Sequence, residues 1–93
     1  MIPVVAIIKA KAHQEKNLEA VLKKMVVETK KEPGCMAYTL HLDTKDSRVF
    51  VFIEQWMSEQ ALQAHLTSTH IQAALARQEE LIESLDIRAL MPL

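Results

Sequence analysis

The side chains able to move protons near neutral pH are few in this sequence, and Glu54 is the most telling of them. It stands between Phe50-Val51-Phe52-Ile53 and Trp56, in the most apolar stretch of the chain. A carboxylate buried there without a partner is costly, and it keeps its proton to higher pH than it would in water. A general acid or base working near neutrality needs that property. The plain alternative is a structural glutamate, paired with a lysine or bonded to backbone. His65 falls on the inward stripe of a short helical segment, one turn after Ala61 and Leu62. A lone histidine in such a place is more often a core residue than a catalyst. His70 falls in the first turn of the next helix, where the dipole disfavours imidazolium and favours a neutral ring as proton acceptor. His41 and His13 read as surface residues, at a strand end and beside a loop. Trp56 reads as core before it reads as a platform for substrate.

Other chemistries find little support. The single cysteine, Cys35, excludes an internal disulfide and cysteine-based zinc sites. No HxH or HExxH spacing occurs, and His65 and His70 are five apart, off the i, i+4 spacing that shares a helical face, so no metal is expected. A single glycine leaves no phosphate-cradling loop. Eleven basic against twelve acidic side chains give a formal charge of −1, which offers nothing to nucleic acid or an anionic membrane. The apolar run Ile2 to Ile8 is far short of the roughly 18 residues of a membrane span and lacks the flanks of a secretory leader. A cytoplasmic protein is expected.

The elements that must position these groups follow from periodicity. Ile2 to Ala12 reads as a strand. From Gln14, Leu18, Val21, Leu22 and Met25 recur at helical spacing, with Thr29 one turn on, until Glu32-Pro33-Gly34 stops the helix. Cys35 to Asp43 and Arg48 to Met57 read as a hairpin around Thr44-Lys45-Asp46-Ser47. Ser58 caps a helix from Glu59 to Leu66, Ser68 or Thr69 starts a longer one reaching Ile82, and Ile87 to Leu93 is a last strand. The order β-α-β-β-α-β is the split βαβ plan of an α+β, ferredoxin-like fold: an antiparallel sheet with helices on one face, here as a single domain over residues 1–93.

With the tetrapeptide as loop, Asp43 faces Arg48 and His41 faces Phe50. Thr39, His41, Glu54 and Trp56 then share one face, and Met36, Tyr38, Leu40, Leu42, Val49, Val51 and Ile53 share the other. A one-residue slip sets Tyr38 against Glu54 instead. In either register both faces are largely apolar, and helices cover only one. A second copy packed sheet on sheet is the expected cover, giving a homodimer.

Glu32-Pro33-Gly34-Cys35 running into Tyr38-Thr39-Leu40-His41 resembles the "EPGC…YxLH" stretch of the antibiotic biosynthesis monooxygenase family. Phe50 to Trp56 resembles its "FxxxExW" strand, and Ala61 to His65 with Ser68-Thr69-His70 its "A…H…S.H" segment. The ordered match runs from about Pro3 to Leu85, with the flavour of the quinol monooxygenase-like branch. The resemblance implies a dimeric α+β barrel with a pocket between sheet and helices in each subunit. It implies oxidation of a hydroquinone or phenolic aromatic by O₂ with neither metal nor flavin. By position it makes His41, Glu54, Trp56, His65, His70 and Tyr38 the pocket candidates. The residues themselves suggest His65, His70 and Glu54 for proton transfer, with Trp56, Phe50 and Phe52 as an apolar wall. An acid–base isomerase of a small metabolite, phosphorylated or not, and a non-catalytic small-molecule-binding dimer are the rival readings.

Overall fold

Alternation along the first strand sets the core. In the computed structural model, which describes residues 1–93, β1 (Ile2–Ala10) buries Val4, Ala6, Ile8 and Ala10 on one side. α1 (Glu15–Thr29) lays Leu18, Leu22, Met25 and Thr29 down one stripe against that side. β2 (Cys35–Leu42) and β3 (Val49–Trp56) form the hairpin, and β3 buries Phe50, Phe52, Glu54 and Trp56 on the same face. Three short helices follow, α2 (Glu59–Leu66), α3 (Thr69–Leu75) and α4 (Gln78–Leu81), and then β4 (Ile82–Ala89). The strand order is β2-β3-β1-β4, antiparallel throughout. This is the expected α+β, ferredoxin-like architecture. No helix is long and apolar enough to cross a membrane.

Several expectations need correction. The hairpin takes the slipped register: Tyr38 pairs with Glu54, Leu40 with Phe52 and Leu42 with Phe50. The loop runs from Asp43 to Arg48, because Asp43 and Asp46 each accept a backbone N–H two residues on, from Lys45 at 2.8 Å and Arg48 at 3.0 Å. Two such turns in succession hold more chain than a tetrapeptide loop. Asp43 and Arg48 therefore do not pair; Arg48 reaches Glu83 (2.8 Å) and the Ala10 carbonyl (2.9 Å). The long helix expected up to Ile82 is two helices, and β4 begins at Ile82 rather than Ile87. β1 likewise ends at Ala10, short of Ala12.

The slip exchanges the faces of β2. Tyr38 goes under the helices and is 2% exposed, while Thr39 and His41 go to the open side of the sheet. That open side has an apolar centre, Val5, Ile7, Val51 and Ile53, flanked by Thr39, His41, Asp86 and Arg88. It is more mixed than the expected seam of Met36, Tyr38, Leu40, Leu42, Val49, Val51 and Ile53.

Between α1 and β2 the chain turns at Gly34, with φ +84°. A Cβ built there would lie 2.6 Å from the Ala61 Cβ of α2. Both the left-handed backbone and the close approach require glycine. Gly34→Ala is expected to destabilise the fold by about 1–3 kcal/mol, read as a lower urea midpoint at unchanged slope.

Candidate active site

Sheet and helices line a partly open cavity of about 270 Å³. Its walls are apolar, among them Ile8, Leu22, Phe52, Ile71 and Leu85, and room is left where Ala6 and Ala74 supply only a methyl. Ligand pockets commonly run from about 300 Å³ upward, so this one suits a small molecule. Glu54 and His65 are the only non-hydrophobic groups in the lining besides the Tyr38 hydroxyl.

Glu54 is 3% exposed. Its Oε1 accepts the indole N–H of Trp56 at 2.8 Å, two residues along the same strand face, and Oε2 has no partner within the chain. Burial pushes the carboxyl above its ordinary range; the Trp56 hydrogen bond and the nearby His65 oppose that shift, and the charge of Glu32 adds to it. Tyr38 stacks on Phe52 with ring centroids 4.6 Å apart, and its hydroxyl donates to Met25 Sδ at 3.3 Å. Burial, then the Glu54 charge, drives the phenol far above its ordinary range, so it stays protonated. The Cys35 thiol is also pushed up, by burial first and by Glu32 and Glu54 next, which favours the thiol over the nucleophilic thiolate.

His65, 2% exposed, lies with its ring 4.5 Å from that of Trp56 and edge-on to Tyr38. Its Nδ1 is 2.7 Å from Glu32 Oε2, and its Nε2 has no partner within the chain. His70 Nε2 is also 2.7 Å from that oxygen. The five-residue spacing does not keep the two rings apart, because the helix breaks at Ser68. There the backbone is extended, and both the N–H and the hydroxyl return to the His65 carbonyl. The donor atoms of Glu32, His65 and His70 lie within 4.8 Å of one another, near enough for a divalent ion. With one oxygen already shared at 2.7 Å by both nitrogens, the trio is closed by hydrogen bonds as it stands.

The candidates thus divide. Glu54, His65, Tyr38 and Phe52 line the cavity. Trp56 supports Glu54 and His65 from behind, and Phe50 is buried core outside the lining. His70 faces a more open depression of about 480 Å³ between α1 and α3. His41 is exposed on the far face of the sheet, near the Val51 carbonyl, and does not join this site. Glu32 is the residue that sequence reasoning missed as a site residue. In the sequence it reads only as part of a helix stop, although it lies in the motif that carries the resemblance.

The model of the family described as antibiotic biosynthesis monooxygenase matches residues 1–77. The chain belongs to this family. Among solved structures of similar proteins is PA3566 from Pseudomonas aeruginosa, 33% identical, with a TM-score of 0.94 over 99% of this chain and 93% of that one. The Bacillus subtilis protein named "Putative monooxygenase YcnE" is 28% identical over 84 residues, 90% of this chain and 88% of its own length. The Synechocystis protein sll1783 is 25% identical over 75 residues, 81% of this chain; the alignment spans only 51% of that protein. In this member of the antibiotic biosynthesis monooxygenase family, every residue of the Glu32, Tyr38, Glu54, Trp56, His65 and His70 set lies within the matched segment.

Glu54 gives a test of burial. A carboxyl whose folded-state pKa is raised binds its proton more tightly folded than unfolded. It therefore subtracts stability as pH rises from the ordinary carboxylate range to the folded-state value, and the loss is complete above that. Glu54→Gln keeps an acceptor for Trp56 and carries no charge. It is expected to be more stable than wild type at neutral pH, with the advantage fading as pH falls toward the unfolded carboxylate's range. Urea denaturation across a pH series checks the sign and the window.

Proposed function

We propose that the chain is a cofactor-independent monooxygenase that oxidises a hydroquinone or related phenolic aromatic with O₂. The observation that supports this reading is a pair of uncommitted proton acceptors, His65 Nε2 and Glu54 Oε2, in an otherwise apolar cavity. The cavity walls are almost wholly apolar, and Phe52 and Tyr38 offer flat surfaces to a ring. His65 takes a phenolic proton, and Glu54 holds the second hydroxyl. The phenolate passes one electron to O₂, and the two radicals recombine to a peroxide. Loss of water then leaves a hydroxylated quinone: hydroquinone plus O₂ gives hydroxyquinone plus H₂O. All electrons come from the substrate, so neither metal nor flavin enters the balance. His70 has no direct part, because its ring is spent on Glu32 and lies outside the lining.

O₂ uptake with a menadiol-type hydroquinone, corrected for autoxidation, is expected to exceed the background. His65→Ala is expected to remove at least about 100-fold of the enzymatic rate. No excess over background for the wild type overturns the proposal. Product formed equally under argon assigns the site to an isomerase.

We also propose a homodimer, formed by the open faces of two sheets. Ile7 and Ile53, at the centre of that face, are 41% and 48% exposed, and a second copy covers both at once. Sedimentation is expected to give twice the chain mass of 10.6 kDa, and Ile7→Lys with Ile53→Lys is expected to yield monomer.

A further inference from the structure

Glu32 does not line the cavity, yet its Oε2 receives both imidazoles at 2.7 Å. A carboxylate only accepts hydrogen bonds. The proton on the His65 ring must then sit on Nδ1, and the lone pair must sit on Nε2, the nitrogen without a partner in the chain. His70 is fixed in the opposite sense. Its Nε2 meets two acceptors, Glu32 Oε2 and, at 3.2 Å, the Oγ of Ser68, whose own proton goes to the His65 carbonyl at 2.7 Å. His70 therefore donates from Nε2. The Glu32 side chain is largely buried, and its loop is pinned by the Gly34 carbonyl, which accepts the Met57 N–H at 2.8 Å.

We infer that Glu32 is the positioning residue of this site: by accepting the Nδ1 proton of His65 it holds that ring in the one neutral form whose Nε2 can take a proton from a ligand in the cavity, and His70 clamps Glu32 in place. A proton gained at Nε2 makes His65 an imidazolium, and the carboxylate 2.7 Å from Nδ1 offsets that charge. The arrangement follows the logic of an acid–base–orienter triad, with a second histidine holding the orienter. The inference rests on His65 being the acceptor of the proposed reaction, and it is tested in two arms that separate the two ideas.

The first arm needs no substrate. Nitrogen NMR of the ¹⁵N-histidine-labelled full chain, recorded where the rings are neutral, is expected to show His65 with hydrogen on Nδ1 and a bare Nε2. His70 is expected to show the reverse. In Glu32→Ala, His65 is expected to shift toward the Nε2–H form that a free histidine side chain prefers. A wild-type His65 with hydrogen on Nε2 overturns the inference, and that spectrum depends on no variant folding. The second arm is kinetic. The amide oxygen of Glu32→Gln can accept both imidazole bonds but carries no charge. Its kcat is expected to fall about tenfold or more, with KM changed less than twofold, since the residue does not touch the cavity. An unchanged kcat, or a loss confined to KM, overturns the inference. A wild type with no turnover overturns the monooxygenase reading instead, and the first arm still decides the role of Glu32.

Discussion

One carboxylate oxygen ties together three segments that the sequence keeps apart. Glu32 comes from the turn after α1, His65 from the end of α2 and His70 from the start of α3. Charge-assisted hydrogen bonds of this kind are short and directional, so a small displacement of any partner breaks the set. The turn at Gly34 brings Glu32 to α2 by letting the backbone approach Ala61 more closely than a side chain allows. The break at Ser68 points His70 back toward His65. Neither the glycine nor the serine carries chemistry, but without them the imidazoles have no common acceptor.

The second constraint is the cost of Glu54. β3 is a strand of Val, Phe and Ile whose helix-facing side is otherwise apolar, and a carboxylate on that side loses its water. One hydrogen bond from Trp56 answers one oxygen. The other is left to the cavity, and the raised pKa is the visible residue of that shortfall. A chain selected for stability alone would place a leucine there. The same holds for the void beside it: Ala6 and Ala74 stand where larger side chains would fill the space and add burial. Polar shortfall and missing volume coincide at one place, which is the pattern of a site rather than of a packing defect.

The elements themselves were legible because hydrophobic period is a local property. The stripe Leu18, Leu22, Met25 and the alternation Phe50, Phe52, Glu54, Trp56 appear in the fold as they appear in the sequence. The burial of Glu54 was legible for the same reason. Hairpin register was not, because it depends on how many residues the loop consumes. Here Asp43 and Asp46 both bend the backbone through their side chains. One residue of slip moved Tyr38 under the helices and His41 away from them. The closeness of His65 and His70 was hidden too, since a spacing argument presumes one continuous helix and the chain turns at Ser68. Glu32 was hidden by a competing explanation: a glutamate before Pro-Gly already has a reason to be there, as the end of a helix.

The character of the cavity weighs on which substrate belongs in it. A phosphorylated metabolite carries a dianionic group that needs guanidinium, ammonium or clustered backbone N–H donors. None of the three arginines, Arg48, Arg77 and Arg88, lines the cavity, and no lysine does. Arg48 is engaged by Glu83, Arg77 by Glu80 and Arg88 by Asp86. The polar groups that do face inward are a carboxyl, an imidazole nitrogen held free as an acceptor and a phenol hydroxyl turned to a methionine sulfur. Such a lining offers no fixed cation to a phosphate dianion and presents acceptors to a donor. A neutral molecule with hydroxyl hydrogens and an apolar body meets each of those groups in its preferred sense: O–H toward the two acceptors, and ring against Phe52 and the aliphatic wall. In the proposed reaction, loss of one of those protons puts negative charge on the ligand just as His65 becomes positive. The ion pair so formed lies in a low dielectric, where its attraction is strong. On the proposed reading, the site is matched to the deprotonated ring together with the protonated base, the state from which an electron would leave for O₂.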